Sequence, residues 1–302
     1  FVCLFLLLGC KQKELPVWET EEEIEVTQSS DIGDIGFEPD LNDDQSDLGP
    51  EECFVEFPDE ALHNTICKYK GENTRCILTC QYVENEEILE LWGSPSIQSI
   101  SGLERFRNLK ELYLIGSQVQ DLGPISDLSK LEFLDLGLNH EISNLRPIRE
   151  LRKLRRLELY NVFLLNDLSP LQGLENLEHL NLKNVVRVSD LRPLNPLRKM
   201  RWLKITGSQV VDVSPLSNLN KLETLYIYDN DIESITPLRE LSKIEALWLD
   251  GNPIKNLLPL LDLENLRELG ISGIPATEIN CEVIDQLRES EDVYMNHPDL
   301  CE

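Results

Sequence analysis

From residue 86 onward, apolar positions recur at a fixed interval. Leu109, Leu131, Leu154, Leu177, Met200, Leu222, Ile244 and Leu266 stand 22 or 23 residues apart. From each of them an apolar residue follows three and five places on, as Leu112 and Leu114, or Leu225 and Ile227. An earlier unit fits from Glu86, where the apolar starting residue is missing. Steps of two mark a short strand with one aliphatic face. A small or amide residue follows in the turn, for example Asn139, Asn230 or Asn252. A second apolar cluster then closes the unit after a proline: Pro124, Pro147, Pro170, Pro193, Pro215, Pro237 and Pro259. Proline suits the first turn of a short helix, where its fixed φ helps and its missing N–H costs nothing. Only about eleven residues remain for the return limb, so it is expected to be 3₁₀ or irregular. Nine such units predict a solenoid with a parallel sheet. Each unit's apolar positions are covered only by its neighbours, so both ends need caps.

The opposite face of the strands carries the positions two, four and six places from each start. Three of the four Trp and four of the seven Tyr in the chain fall there. With Phe133 they are Trp92, Tyr113, Tyr160, Trp202, Tyr226, Tyr228 and Trp248. β-Propensity accounts for aromatics in strands but not for their choice of the outward face. Exposed Trp and Tyr on a rigid surface have the composition of a recognition patch. The middle units mix charges (Arg156, Glu158, His179, Asn181, Lys183, Lys204), so two ring-rich anchors flanking a polar centre are expected. Nine strands at about 4.8 Å spacing and five residues of width cover roughly 650 Å². That approaches the ~800 Å² per side of a standard protein interface, whereas a small ligand prefers a closed pocket. A protein partner is the expectation. A glycan is the alternative, because Tyr and Trp also stack on sugar rings, and an envelope assembly scaffold is a third reading.

Charge narrows the field. The net charge is −27, and residues 11–60 hold eighteen acids against Lys11 and Lys13. Such a net charge argues against nucleic acid as a partner, because the chain as a whole repels phosphates. Residues 14–52 have too few clustered apolar residues to offset ordering entropy and are expected to form a solvated tether. Before them, "FVCLFLLLGC" is too short to span a bilayer. Its Leu7-Leu8-Gly9-Cys10 resembles the lipobox of bacterial lipoproteins. That resemblance implies lipid on Cys10, removal of residues 1–9 and membrane anchoring. Lys11 after the cysteine carries no retention signal for an inner membrane, so the outer membrane or cell surface is expected.

Six cysteines remain once Cys3 and Cys10 are set aside: Cys53, Cys67, Cys76, Cys80, Cys281 and Cys301. An even number in an exported chain reads as disulfides. Cys281 and Cys301 form the carboxyl-terminal pair, and such a loop is worth on the order of 3 kcal/mol. The other four allow three pairings. On one strand, Cys76 and Cys80 would stand about 13 Å apart, too far to bridge, which favours pairing them to Cys53 and Cys67. Zinc is the weaker alternative without a suitably spaced His pair. Two basic runs recur two units apart: Arg146, Arg149, Arg152, Lys153, Arg155 and Arg156, then Arg198, Lys199 and Arg201. They suggest a basic ridge able to hold an anionic segment or polymer. Catalysis has no support. His63, His140, His179 and His297 are scattered, and no H-E-x-x-H, G-x-S-x-G or phosphate loop is present. No enzyme activity, cofactor or metal is expected, and His179 is expected to make a polar contact.

The units "LKELYLIGSQVQDLGPISDLSK" and "LETLYIYDNDIESITPLRELSK" resemble the internalin-type, twenty-two-residue class of bacterial leucine-rich repeat proteins. "FPDEALHNTI" and "ISGLERFRNLKEL" are similar to that family's helical amino-terminal cap and first repeat. The resemblance implies an α/β leucine-rich repeat solenoid (a horseshoe) with a parallel concave sheet, a helical amino-terminal cap and disulfide-linked caps. It divides the chain into a signal remnant (1–9), a lipidated tether (10–52), a cap (53–85), repeats (86–280) and a second cap (281–302). One column departs from the family. It reads Ser94, Ser117, Asn139, Val162, Val185, Ser208, Asn230, Asn252 and Ile274, so the usual Asn ladder is largely missing in the middle. The carboxyl end shows no cell-wall sorting motif, so lipid attachment is expected to take its place.

Overall fold

The computed structural model describes residues 53–72, 76–93, 95–289, 293–296 and 301. The signal remnant, Cys10, the acidic stretch up to residue 52, Ser94 and His297 lie outside the described residues. Nine strands follow the repeat: β1 (Ile88–Glu90), β2 (Glu111–Tyr113), β3 (Phe133–Asp135), β4 (Arg156–Glu158), β5 (His179–Lys183), β6 (Trp202–Thr206), β7 (Thr224–Tyr226), β8 (Ala246–Trp248) and β9 (Glu268–Gly270). They pair in sequence order, all parallel, and each residue faces its equivalent in the next unit. Arg156 stands opposite His179, for example, and Tyr226 opposite Trp248. This is a leucine-rich repeat solenoid.

The register follows from the aliphatic alternation. The residues three and five places from each start, such as Leu112, Leu114, Leu225 and Ile227, have no exposed surface. A slip of one residue would turn that whole row to solvent. The return limbs are 3₁₀ turns, as expected. Seven of them, from Gly123–Ile125 to Leu258–Asp262, carry proline in the first turn.

Two columns organise the turn after each strand. The seventh position from every start has positive φ. It is glycine in five units, and Leu138, Asn161, Asn184 and Asp229 in the others. At the eighth position the amide ladder works where Asn is present. Asn139 donates to the Leu114 and Leu136 carbonyls, at 2.6 and 2.9 Å. Asn230 and Asn252 repeat the pattern. In the middle, Val162 and Val185 occupy the same slot as buried aliphatics. There the amides move one place earlier, and Asn184 Nδ2 donates to Asn161 Oδ1 at 2.8 Å.

The caps close the two ends. In the first, α1 (Glu60–Tyr69) starts at Asp59, whose Oδ1 accepts from Leu62 N–H at 3.0 Å. Its Oδ2 accepts from Gln98 and Ser99 N–H at 2.8 Å each, which ties the cap to the first repeat. Burial raises the Asp59 carboxyl, but these backbone donors outweigh it and hold the group below its usual range. Cys67 pairs with Cys76, and Cys53 with Cys80. The pairing is one of the two that sequence favoured, but the strand premise behind it is wrong. Cys80 opens a helix, α2 (Cys80–Asn85), with Thr79 as its N-cap. In the second cap, α3 (Glu278–Glu289) is followed by β10 (Tyr294–Met295), which extends the sheet beside β9. Cys281 and Cys301 are joined across this cap. The tenth strand has no signature in the sequence, because two residues are too few to show a period.

Candidate functional site

The outward face of the sheet carries the rings, and the structure joins most of them. His179 on β5 stacks on Trp202 of β6, centroids 3.9 Å apart and planes 5° from parallel. Trp202 tilts against Tyr226 of β7 at 5.6 Å, and Tyr226 stacks on Trp248 of β8 at 6.0 Å. Four consecutive strands therefore share one aromatic row. Lys204 adds to it, its Nζ lying 4.9 Å from the Tyr226 ring and 5.6 Å from Tyr228. A second group, toward the amino end, has Tyr113 against Phe133 at 4.5 Å and the Arg156 guanidinium 5.2 Å from the Phe133 ring. Trp92 stands apart. It is 56% exposed, and its indole N–H donates to Glu90.

Two glycines make room for rings. A β-carbon at Gly137 would lie 2.2 Å from Tyr160, and one at Gly270 would lie 2.5 Å from Trp248. Each ring thus lies flat over the glycine of a neighbouring strand, and any larger residue there would lift it off the sheet. Burial raises the phenols of Tyr113 and Tyr160 to about 12 and that of Tyr226 in the same direction. All three stay neutral hydrogen-bonding groups at ordinary pH.

Between the two ring groups the face is polar, and two carboxylates are sunk into it. Glu158 is 5% exposed. It accepts from Arg156 Nε at 2.9 Å and from Asn181 Nδ2 at 2.7 Å. His179 Nε2 lies 2.9 Å away, too oblique for a good hydrogen bond, so that contact is an ion pair when the ring is protonated. Burial pushes the Glu158 carboxyl up, but His179, Asn181 and Arg156 outweigh it and hold it below its usual range. Asp135 has less help. Burial pushes it up to about 6, opposed by the Gly137 N–H and reinforced by Glu158. Sequence placed both acids on the face but not their depth. His179 makes the expected polar contact and also starts the aromatic row.

At the carboxyl end the rings border an open cleft of about 390 Å³. Tyr226, Tyr228 and Trp248 line it with Lys204, Asp229 and Asp250, and the second cap contributes Asn296. Asn296 donates to Asp250 and accepts from Ile271 N–H, so the cap fixes this wall. Lys204 is partly buried, which lowers its pKa, and no carboxylate among the described residues pairs with it. Trp248 Nε1 is buried without an acceptor.

The basic runs do not form the continuous ridge that sequence suggested. Arg155 pairs with Glu178 at 3.0 Å, Arg201 with Glu223 at 2.8 Å, Arg152 with Glu150, and Arg192 with Asp190. In the first two pairs an acid of one unit reaches the arginine of its neighbour, which spacing along the chain does not display; in the other two the partner is two residues away. As for metals, His63, Cys67 and Cys76 have ligand atoms within 4.8 Å of one another. Both sulfurs belong to the Cys67–Cys76 disulfide, however, and His63 Nε2 sits 3.1 Å from the Cys76 carbonyl.

Known structures share this architecture. Internalin C2 of Listeria monocytogenes superposes with a TM-score of 0.67 and 32% sequence identity, over 72% of this chain and 94% of that one. The functional domain of InlJ from the same bacterium gives 0.59 at 18% identity, over 74% and 52%. A leucine-rich repeat protein of Leptospira interrogans gives 0.54 at 20%, over 68% and 66%. The last two show the fold alone. No protein-family profile and no curated protein matches the sequence.

Proposed function

The chain belongs to the internalin-type leucine-rich repeat proteins, and from that premise we propose that it binds a protein partner through the ring-bearing concave face. The observation that carries this reading is the aromatic row His179–Trp202–Tyr226–Trp248, which continues across four strands and borders the cleft at Lys204. Rings already stacked on one another lose little conformational freedom on binding, which favours them as anchors. Trp92, Tyr113, Phe133 and Tyr160 extend the same face toward the amino end and would form its outlying contacts. The protein acts by binding and not by catalysis. Cys10 carries the lipid that holds the chain at the bacterial envelope, with the acidic stretch as its spacer.

The test begins with a partner captured on the full chain and then compares variants. Replacing Tyr226, Tyr228 and Trp248 by Ala should remove anchors worth ~2 kcal/mol or more each, so a single change weakens binding about thirtyfold. Arg239→Ala on the outer side should do almost nothing. Normal binding by a triple variant that melts normally would move the site elsewhere. Loss of binding after glycosidase treatment of the partner would promote the glycan reading, for which the acids and amide around the cleft are suited. For the anchor, labelled fatty acid should mark the protein and Cys10→Ser should abolish the label.

A further inference from the structure

Away from the concave face, one column at the sheet edge carries lysines whose charge is not neutralised among the described residues, Lys130 and Lys199 donating only to the neutral amide oxygens of Asn108 and Asn176 one unit earlier. From the second unit on, the residue just before the start is Asn108, Asn176 or Asn265 in three units and Lys130, Lys153, Lys199, Lys221 or Lys243 in five. The asparagines have a structural task, each donating to a backbone carbonyl of the preceding unit at 2.6–2.7 Å. The lysines do not share it. All five are exposed, and no carboxylate among the described residues lies within ion-pair distance of them. Two places along, Glu178 and Glu223 are already neutralised by Arg155 and Arg201, while Glu132 and Glu245 at the same position offset part of the charge without an ion pair among the described residues. The result is an open trough of about 380 Å³ lined by five cations and two carboxylates, both carboxylates paired with arginine. Lys199, Lys221 and Lys243 come from three consecutive units. Their backbones are therefore stacked at the strand spacing of about 4.8 Å.

We propose that this edge binds a linear polyanion bearing closely spaced sulfate or phosphate esters, laid along the stack of units. Surplus positive charge at a fixed short interval matches a polymer whose charges recur at a similar interval, and a compact anion would engage only one or two of the lysines. The chain as a whole is strongly acidic, with a net charge of −27, so its other surfaces repel the same polymer and confine it to the trough. Binding of this kind is driven by release of counterions and weakens steeply with salt. It is independent of the aromatic face.

The test uses the full chain and the Lys199→Ala, Lys221→Ala, Lys243→Ala triple variant, with circular dichroism and melting curves to show that both are folded. Immobilised heparin presents sulfate, inorganic polyphosphate presents phosphate, and unsulfated dextran presents neither. The parent should bind one or both anionic polymers at low salt and ignore dextran. The tighter of the two identifies the ester. The triple variant should bind at least about tenfold more weakly, with the slope of log affinity against log salt reduced by about three, one for each lysine. The variant lacking Tyr226, Tyr228 and Trp248 should bind like the parent. Failure of the parent to bind either polymer, or parent-like binding by the lysine variant, would overturn the proposal.

Discussion

The concave sheet holds two neighbouring regions with the same backbone and opposite contents. Around β3 and β4 it sinks the carboxylates of Asp135 and Glu158, both below a tenth exposed. From β5 to β8 it raises a row of half-exposed rings. Asp135, Glu158, Tyr226 and Trp248 occupy equivalent positions in units of nearly identical length, and His179 and Trp202 stand two places earlier on the same face. The repeat therefore specifies where a side chain points, and the neighbouring units specify how deep it lies. The acids are sunk because Tyr160 lies over Gly137 and because Arg156, Asn181 and His179 close over Glu158. The rings stay accessible because each leans on another ring instead of being covered. The acidic region should thus contribute mainly to stability and the aromatic one mainly to binding.

The largest effect that separates them is expected at Glu158. Glu158→Gln removes a carboxylate held by an arginine, an amide and a histidine, and should lose about 2–3 kcal/mol at neutral pH. Tyr226→Ala should lose less stability than this, since its ring contacts are worth about 0.5–1.5 kcal/mol each. Chemical denaturation of both variants checks the order, and its reversal would break the comparison. Because the Glu158 carboxyl is held below its usual range, its contribution is present at neutral pH and is lost as pH falls through the folded pKa.

Asp135 should behave in the opposite sense. With the carboxyl pushed up to about 6, the folded state holds its proton more tightly than the unfolded one. Stability then falls as pH rises from about 4 to about 6. Asp135→Asn keeps an acceptor for the Gly137 N–H and removes the penalty, so it should gain about 3 kcal/mol at pH 7 and almost nothing near pH 4. Melting curves at the two pH values measure it. An equal gain at both would mean that the buried charge is not the cause.

Leu138 sharpens the comparison at the level of the turn. It is a leucine with φ of 62° in a column otherwise held by Gly, Asn and Asp, a conformation that costs an ordinary side chain about 1–2 kcal/mol. Leu138→Asn should stabilise the protein by about 1 kcal/mol, and could also extend the Asn184–Asn161 contact by one unit. A drop in melting temperature would show that its partial burial matters more than its strain. The smallest effect is expected for Trp248→Phe, which keeps a ring over Gly270 and removes the unpaired indole N–H. Stability should change by less than about 0.5 kcal/mol. A large loss of binding would then show that the partner reads the extent of the indole ring, since its N–H is buried.

Much of this was legible in the chain before folding. The column of left-handed turns is written in the sequence as Gly, Asn and Asp at the seventh position, with Leu138 as the exception. The disulfide partners were narrowed to two arrangements. The basic runs do not show along the chain which of their cations are neutralised, because Glu178 and Glu223, the partners of Arg155 and Arg201, lie one unit away.

By itself the sequence determined the period, the strand register, the aliphatic core and the identity of the rings on the open face. These depend on alternation within five residues and on repetition every 22 or 23, both of which are local. Only the tertiary structure decided which acids are buried, which rings touch, which cations stay unpaired and how the second cap adds a strand. Those outcomes depend on side chains brought together across parallel strands at about 4.8 Å, where length, tilt and the presence of a glycine set the contact and no pattern along the chain records it.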